Sequence, residues 1–375
     1  MSTTTTTDTP TPLSTQYDTP LGLAHTTMQA LKDRIKLHYD LASDYYLSLW
    51  GEHIHHGYWP TAASKASDSK ETAQLNLIRL LLAVGEMPGA GEFAGGNHGV
   101  ATTTTAGGTA LEGTGPAAKE QEVGGAPLRI LDVGCGVGGT ARYLARELGA
   151  VVTGLTISGK QVEMATRLSK AEGAGAADGA GASGDANGDE GFIAVGDKGG
   201  QVRFVELDAE KMGEYFAPGG DGGEGGFDVV WISEALSHFP NKALFFQNSH
   251  KLLRSGGKLV LADWFKAEDL AESVFDADIK PIEDGMLTPP LCTKQGYVDF
   301  ATGAGLKVLG GPKDISKDVS KTWDISWSLV QNPSLWAFAF SQGRDGIAFL
   351  QAFRAMRRGY ANGTFRYAVM SFSKP

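Results

Sequence analysis

Arg129-Ile130-Leu131-Asp132-Val133-Gly134-Cys135-Gly136-Val137-Gly138-Gly139-Thr140 decides how the chain folds. An apolar run broken by one acid enters a glycine-rich turn. Ala141, Leu144, Ala145 and Leu148 then recur at helical spacing. Strand, glycine turn and helix open a nucleotide-binding α/β unit. Glycine lets the backbone turn sharply and lie against a ligand, and the helix start presents unpaired N–H groups. The plain alternative is a tight turn that holds no ligand.

Two cofactor classes use such a turn. Gly134, Gly136 and Gly139 satisfy G-x-G-x-x-G, so a dinucleotide is formally open. Asp132 argues against it, because a negative charge there would face a pyrophosphate and suits a cationic ligand better. A dinucleotide site also wants an acid about twenty residues on, at the end of the second strand. Val151-Val152-Thr153-Gly154-Leu155-Thr156 ends without one. Both points favour S-adenosylmethionine (SAM) over NAD.

Outward from this turn, apolar strands alternate with helical segments. Strands are expected at 129–133, 151–155, 202–207, 227–232 and 258–262. Helices are expected from about 159 to 170 and from 242 to 253, with Gly256-Gly257 as a C-cap. The alternation predicts an α/β fold built on a doubly wound parallel sheet. Residues 265–295 read as a cap over the sheet's carboxyl edge, 293–304 as a helix, 306–309 as a short strand, 347–356 as a helix and 363–372 as a terminal strand. The aromatic stretch 323–340 is expected to pack near the site.

Low-complexity segments interrupt this pattern. Residues 89–126, 171–200 and 217–226 hold 27 of the 51 glycines and little that could form a core. They read as surface inserts. The expected organisation is a disordered Ser/Thr/Pro tail over 1–30, an N-terminal helical segment over 31–87 and an insert over 88–126. A ligand-binding core follows over 127–264, and a cap with C-terminal strands over 265–375. The net charge of −10, with scattered Lys and Arg, does not suggest nucleic-acid binding. Two cysteines make no disulfide framework and fit a reducing, cytoplasmic setting. No apolar run reaches the length of a membrane span. The sequence does not give an oligomeric state.

Several motifs together carry a family resemblance: His38-Tyr39-Asp40-Leu41, Trp50-Gly51 with His55-His56-Gly57, the Asp132 turn, Gly154-Leu155-Thr156-Ile157-Ser158 with Gln161, Ser233-Glu234-Ala235-Leu236-Ser237-His238-Phe239 with Lys242, and the C-terminal Met356…Gly359-Tyr360…Gly363…Phe365…Lys374-Pro375. The chain resembles the class I SAM-dependent methyltransferases. Within them it is similar to the gamma-tocopherol C-methyltransferase group, which is related to sterol and cyclopropane-fatty-acid methyltransferases. The resemblance implies a Rossmann-like methyltransferase sheet with N-terminal helices and a helical cap. It implies that Asp132, Gly134 and Gly136 hold the methionine part of SAM. Thr156 and Gln161 would serve the ribose side, Asp208 and Ala209 the adenine, and Tyr39 and His55 the segment that closes over SAM. Relatives usually carry Glu-His where this chain has Ser237-His238, so a role for that glutamate does not transfer.

Methyl transfer from a sulfonium is an in-line displacement. The protein must hold acceptor and methyl together and exclude water, and a base is needed only for an acceptor that loses a proton. Catalytic candidates are His238, just beyond the fourth predicted strand, Glu234, which could orient it, and His56 in the histidine loop. For each the alternative is a structural role. His53 is expected to be exposed, and the three histidines lack a fourth ligand for a metal. Trp264 is expected to wall the acceptor site, Trp323, Trp327 and Trp336 to belong to the core, and Asp228 to be structural. Asp263 is a lesser acceptor candidate. The expected activity is methyl transfer to a small, largely apolar acceptor: aromatic, phenolic, amine or isoprenoid. The rivals are a methyltransferase-fold cyclase that transfers no methyl, and an NAD(P) oxidoreductase.

Overall fold

The computed structural model describes residues 28–88, 126–177, 191–220, 226–330 and 344–375. The expected tail before Met28, most of the 88–126 insert and Trp336 lie outside these residues. Eight strands form one sheet: β1 (Arg129–Val133), β2 (Val151–Thr156), β3 (Ile193–Val195), β4 (Gly200–Glu206), β5 (Phe227–Ser233), β6 (Leu253–Lys266), β7 (Lys307–Asp314) and β8 (Phe365–Ser373). Their order is β3-β4-β2-β1-β5-β6-β8-β7. The run from β4 to β6 is parallel, while β8 lies antiparallel between β6 and β7. The mixed α/β, Rossmann-like architecture expected from the sequence is present.

Helices α1 (Met28–Trp50), α2 (Ala62–Ser67) and α3 (Lys70–Val84) precede the sheet. The crossovers carry α4 (Gly139–Leu148), α5 (Gly159–Ala177), α6 (Met212–Tyr215) and α7 (Lys242–Leu252). Beyond β6 come α8 (Glu272–Val274), α9 (Lys280–Gly285) and α10 (Lys294–Gly303). Then come α11 (Ser316–Val319), α12 (Lys321–Val330) and α13 (Arg344–Asn362). Crossover helices cover both sheet faces, so the central strands are apolar on both sides. In β5, Val229 and Trp231 enter one core cluster while Val230 and Ile232 enter the other. Among the described residues no helix is long and apolar enough to cross a membrane.

Two local expectations change. The glycine-rich 171–200 stretch, read as loop, is structured at both ends: α5 runs to Ala177, and β3 pairs antiparallel with β4. Val195 is buried there, an apolar contribution that glycine content hides. In addition, α7 stops at Leu252, before Gly256-Gly257. Leu253 is already extended and pairs with Phe227, and burial of Leu252 and Leu253 draws the chain into the sheet. Gly256 therefore lies inside β6, at φ 77°.

The first helix sets the lid of the site. From α1, Lys32 reaches Asp208 at 2.7 Å and Glu210 at 2.5 Å. Lys36 reaches Glu206 at 2.6 Å, and Asp40 accepts from the Ser158 hydroxyl at 2.5 Å. These contacts hold α1 across the carboxyl ends of β2 and β4, where ligands bind in doubly wound sheets. Lys32→Ala should raise the KM for the ligand bound beneath α1 by about fivefold, the scale of a weak ion pair, with little change in kcat. In wild type that KM should rise with salt, and steady-state kinetics at low and high salt checks this. An equal salt response in the variant would contradict the clamp.

Candidate active site

β1 delivers Asp132 into the glycine turn, where its carboxyl is buried and Oδ2 has no hydrogen-bond partner among the described residues. Burial pushes this carboxyl up to about 7. Gly134 follows at φ 75°, and a Cβ there would sit 2.4 Å from that of Ala235, so only glycine permits this turn. A Cβ at Gly139 would lie 2.2 Å from the Glu52 carbonyl oxygen. The loop after α1 thus rests directly on the turn. Buried Arg142 fixes it there, donating to Glu52 at 2.8 Å and to the Val137 carbonyl at 2.9 Å.

The loop and turn enclose a pocket of about 360 Å³, lined by Asp132, Gly134, Gly136, Thr140, His55 and Ser233. Besides Asp132 Oδ2, the buried Nε2 of His55 and Oγ of Ser233 lack protein partners. An acid, a hydroxyl and an imidazole suit the amino and carboxylate groups of a methionine moiety. Next to it, a cavity of about 840 Å³ opens between α1 and the ends of β2, β4 and β5. Tyr39, Thr156, Gln161, Asp208, Ala209 and His238 line it. Thr156 donates to Gln161 at 2.6 Å. Asp208 is engaged at both oxygens, by Lys32 and by the Glu210 backbone N–H at 3.0 Å. The residues present fit SAM: the unpartnered buried acid answers its ammonium, and the larger cavity admits its nucleoside.

A second cavity of about 840 Å³ lies on the other side of Tyr39. Aromatic walls from α1 (Tyr46, Trp50), β6 (Trp264), α12 (Trp323) and α13 (Phe349, Phe353) surround it. Its polar lining includes His55, His56, Glu234, His238, Thr322 and Ser326 and, among the described residues, no lysine or arginine. Ile35, Tyr39, Ile54, Glu234 and His238 line both large cavities, so the two meet there.

His238 lies edge-on to Tyr39 and Trp264, with ring centroids 6.2 and 6.0 Å away. Its Nδ1 donates to the Leu287 carbonyl at 3.4 Å. Burial pushes its imidazole down to about 4, so it is neutral near pH 7. Burial pushes the Tyr39 phenol up to about 12, with Glu234 adding to it. Burial alone would raise the Glu234 carboxyl, but its interactions with His56 and His55 outweigh it and hold it below its ordinary range.

Some sequence expectations are revised here. Glu234 pairs with His56, at 2.9 Å to Nδ1, rather than with His238. The reason is the backbone: Glu234 has φ 57°, which turns its side chain toward the histidine loop. His53 is half-buried beside His55, and burial pushes it down to about 3. Asp263 lines neither large cavity; it is buried and accepts from Tyr297 at 2.8 Å. Trp323 belongs to a core cluster as expected and also walls the cavity, whereas Trp327 stacks under Arg354 and Arg357. Asp228 is structural as expected, accepting from the Arg129 N–H at 2.7 Å. Sequence reading missed Tyr46, Phe349 and Phe353 as lining, although Trp50 follows Tyr46, and Phe353 follows Phe349, at the four-residue spacing of one helix face.

Comparison with known proteins agrees with this geometry. The model of the methyltransferase domain family matches residues 131–261, the span from the glycine turn to β6. Residues 131–261 form a class I SAM-dependent methyltransferase domain. It is 24% identical over 368 residues to tocopherol O-methyltransferase of Arabidopsis thaliana, covering 95% of this chain and 86% of that protein. It is 35% identical over 214 residues to 2-methyl-6-phytyl-1,4-hydroquinone methyltransferase of Synechocystis, covering 55% of this chain and 56% of that protein. The crystal structure of the (4+2)-cyclase SpnF superposes with a TM-score of 0.59 at 19% identity, covering 92% of this chain and 97% of that one; this likeness speaks for the fold alone. The protein is therefore a SAM-dependent methyltransferase of the small-molecule type.

The raised carboxyl of Asp132 gives a pH dependence. The unliganded methyltransferase has Asp132 half-protonated at about pH 7, and only the ionised form attracts an ammonium. SAM affinity should rise with pH and level off above about 7, falling about tenfold per pH unit well below it. Calorimetric titration from pH 5.5 to 8.5 checks this. A flat profile would contradict an ionised Asp132 as the ammonium partner.

Proposed function

We propose that this methyltransferase acts on a neutral, largely apolar molecule carrying a hydroxyl, on an aromatic ring or an attached isoprenoid. The observation that carries the reading is the junction of the two large cavities at Tyr39, Glu234 and His238. A donor on one side and an acceptor on the other would meet there with water excluded. SAM supplies an electrophilic methyl on a sulfonium. The proposed cofactor contacts are Tyr39, His55, Asp132, Gly134, Gly136, Thr156, Gln161, Asp208 and Ala209.

His238 is the proposed proton acceptor. With Nδ1–H committed to the Leu287 carbonyl, Nε2 keeps a lone pair. It takes the acceptor's proton as the new bond to methyl forms. The cavity's aromatic walls favour a planar or prenylated molecule. Its Glu234 carboxylate, with no lysine or arginine among the described lining residues, disfavours an anionic acceptor. The names of the tocopherol and phytyl-hydroquinone relatives support the same acceptor chemistry. The free cysteines, Cys135 and Cys292, suit the cytoplasmic setting proposed from the sequence.

Methyl-labelled SAM incubated with neutral phenols, prenylated hydroquinones, amines, and matched carboxylated analogues tests the reading. Label should enter the neutral hydroxylated compounds and spare the carboxylated ones. Label confined to SAM across the panel would instead favour the cyclase reading, which the SpnF fold keeps in view.

A further inference from the structure

Glu234 directly follows β5 in the left-handed region, at φ 57°, a conformation unfavourable for a non-glycine residue. Four hydrogen bonds hold it there. Its backbone N–H donates to the Ala262 carbonyl of β6 at 2.8 Å. Its carboxylate accepts from the His56 backbone N–H at 2.6 Å, from His56 Nδ1 at 2.9 Å and from the Tyr367 hydroxyl at 2.7 Å. Three distant parts of the chain thus meet on one buried carboxylate: the histidine loop, the end of β5 and the C-terminal strand. A carboxylate can only accept, so Nδ1 of His56 carries a hydrogen. Nε2 then faces the Tyr360 hydroxyl at 3.5 Å.

Tyr367 itself lines neither large cavity, yet it donates to Glu234, which lines both. We propose that Tyr367 is a positioning residue for methyl transfer: its hydroxyl fixes the Glu234 carboxylate, which sets the proton arrangement of His56 and immobilises the wall between the two cavities. This rests on the reading of that junction as the place where methyl crosses. The terminal strand is threaded between β6 and β7. That placement sets Tyr367 opposite Trp264 in the register, beside the site.

Tyr367→Phe removes the hydroxyl and keeps the ring that lies 4.8 Å from His56. A hydrogen bond to a charged group corresponds to a loss of about tenfold or more when removed. The expected result is kcat down about tenfold, with the KM for SAM within about twofold of wild type. Nitrogen-15 spectra of histidine-labelled full-length protein, with His56 assigned by its loss in His56→Gln, give an independent readout. Wild type should show hydrogen on Nδ1 of His56, and Tyr367→Phe should show it shared between Nδ1 and Nε2. Wild-type kcat would overturn the proposal. So would an unchanged His56 spectrum alongside a general loss of thermal stability. If His238→Gln leaves turnover intact, the junction reading fails separately, while the His56 spectrum of Tyr367→Phe still decides whether Tyr367 orients the carboxylate.

Discussion

Asp132→Asn should weaken SAM binding by about a hundredfold or more, the scale for truncating one member of a buried, hydrogen-bonded charge pair. The argument starts from the unliganded protein. Among the described residues Asp132 Oδ2 has no partner, and burial pushes the carboxyl up to about 7. Its folded value lies above the unfolded one, so ionisation opposes folding as pH rises from about 4 to about 7. An acid retained against that penalty gains its reason from a cationic ligand. The substitution should therefore act in opposite directions on two measurements. At pH 8 unliganded Asp132→Asn should melt above wild type, while calorimetry shows SAM affinity nearly gone. A variant that melts lower and binds SAM normally would show that the acid serves the turn rather than the ligand.

His238→Gln should lower kcat by about a hundredfold, within the usual contribution of a positioned acid or base, and leave SAM affinity within about threefold. The side chain sits where both cavities meet, and burial keeps it neutral near pH 7. Single-turnover rates separate this effect from binding. Loss of SAM affinity with an intact transfer rate would make His238 a cofactor contact. Glu234 does not substitute for it, because its carboxylate is already engaged by His56 and Tyr367.

Much of the cofactor side is local in sequence, which is why it could be read. Asp132, Gly134 and Gly136 lie within five residues, and Thr156 and Gln161 are joined by one hydrogen bond across a short turn. The alternation of strands and helices fixed the parallel sheet for the same reason. The acceptor side is assembled from α1, β5, β6, α12 and α13, whose proximity is set by packing that periodicity does not encode. Trp323 illustrates this: its apolar spacing reads as core, and only the arrival of Phe353 and His56 beside it makes it a wall. Proximity in sequence points Glu234 to His238, four residues away. The left-handed turn at Glu234 instead sends its carboxylate to a loop 178 residues earlier. The glycine pair after α7 reads as a cap because glycine content is visible in sequence, while the strand pairing of Leu253 with Phe227 is not.

The central claim is that methyl passes between the two cavities at Tyr39, Glu234 and His238. A crystal structure with S-adenosylhomocysteine and a prenylated hydroquinone bound together tests it most directly. The account predicts the cofactor sulfur in the α1-covered cavity, with the acceptor ring among Trp264, Trp323 and Phe353. The receiving atom should face the sulfur beside His238, at a separation that leaves room for one methyl group. An acceptor bound outside the Trp264–Trp323 cavity, or a sulfur turned away from His238, would contradict it.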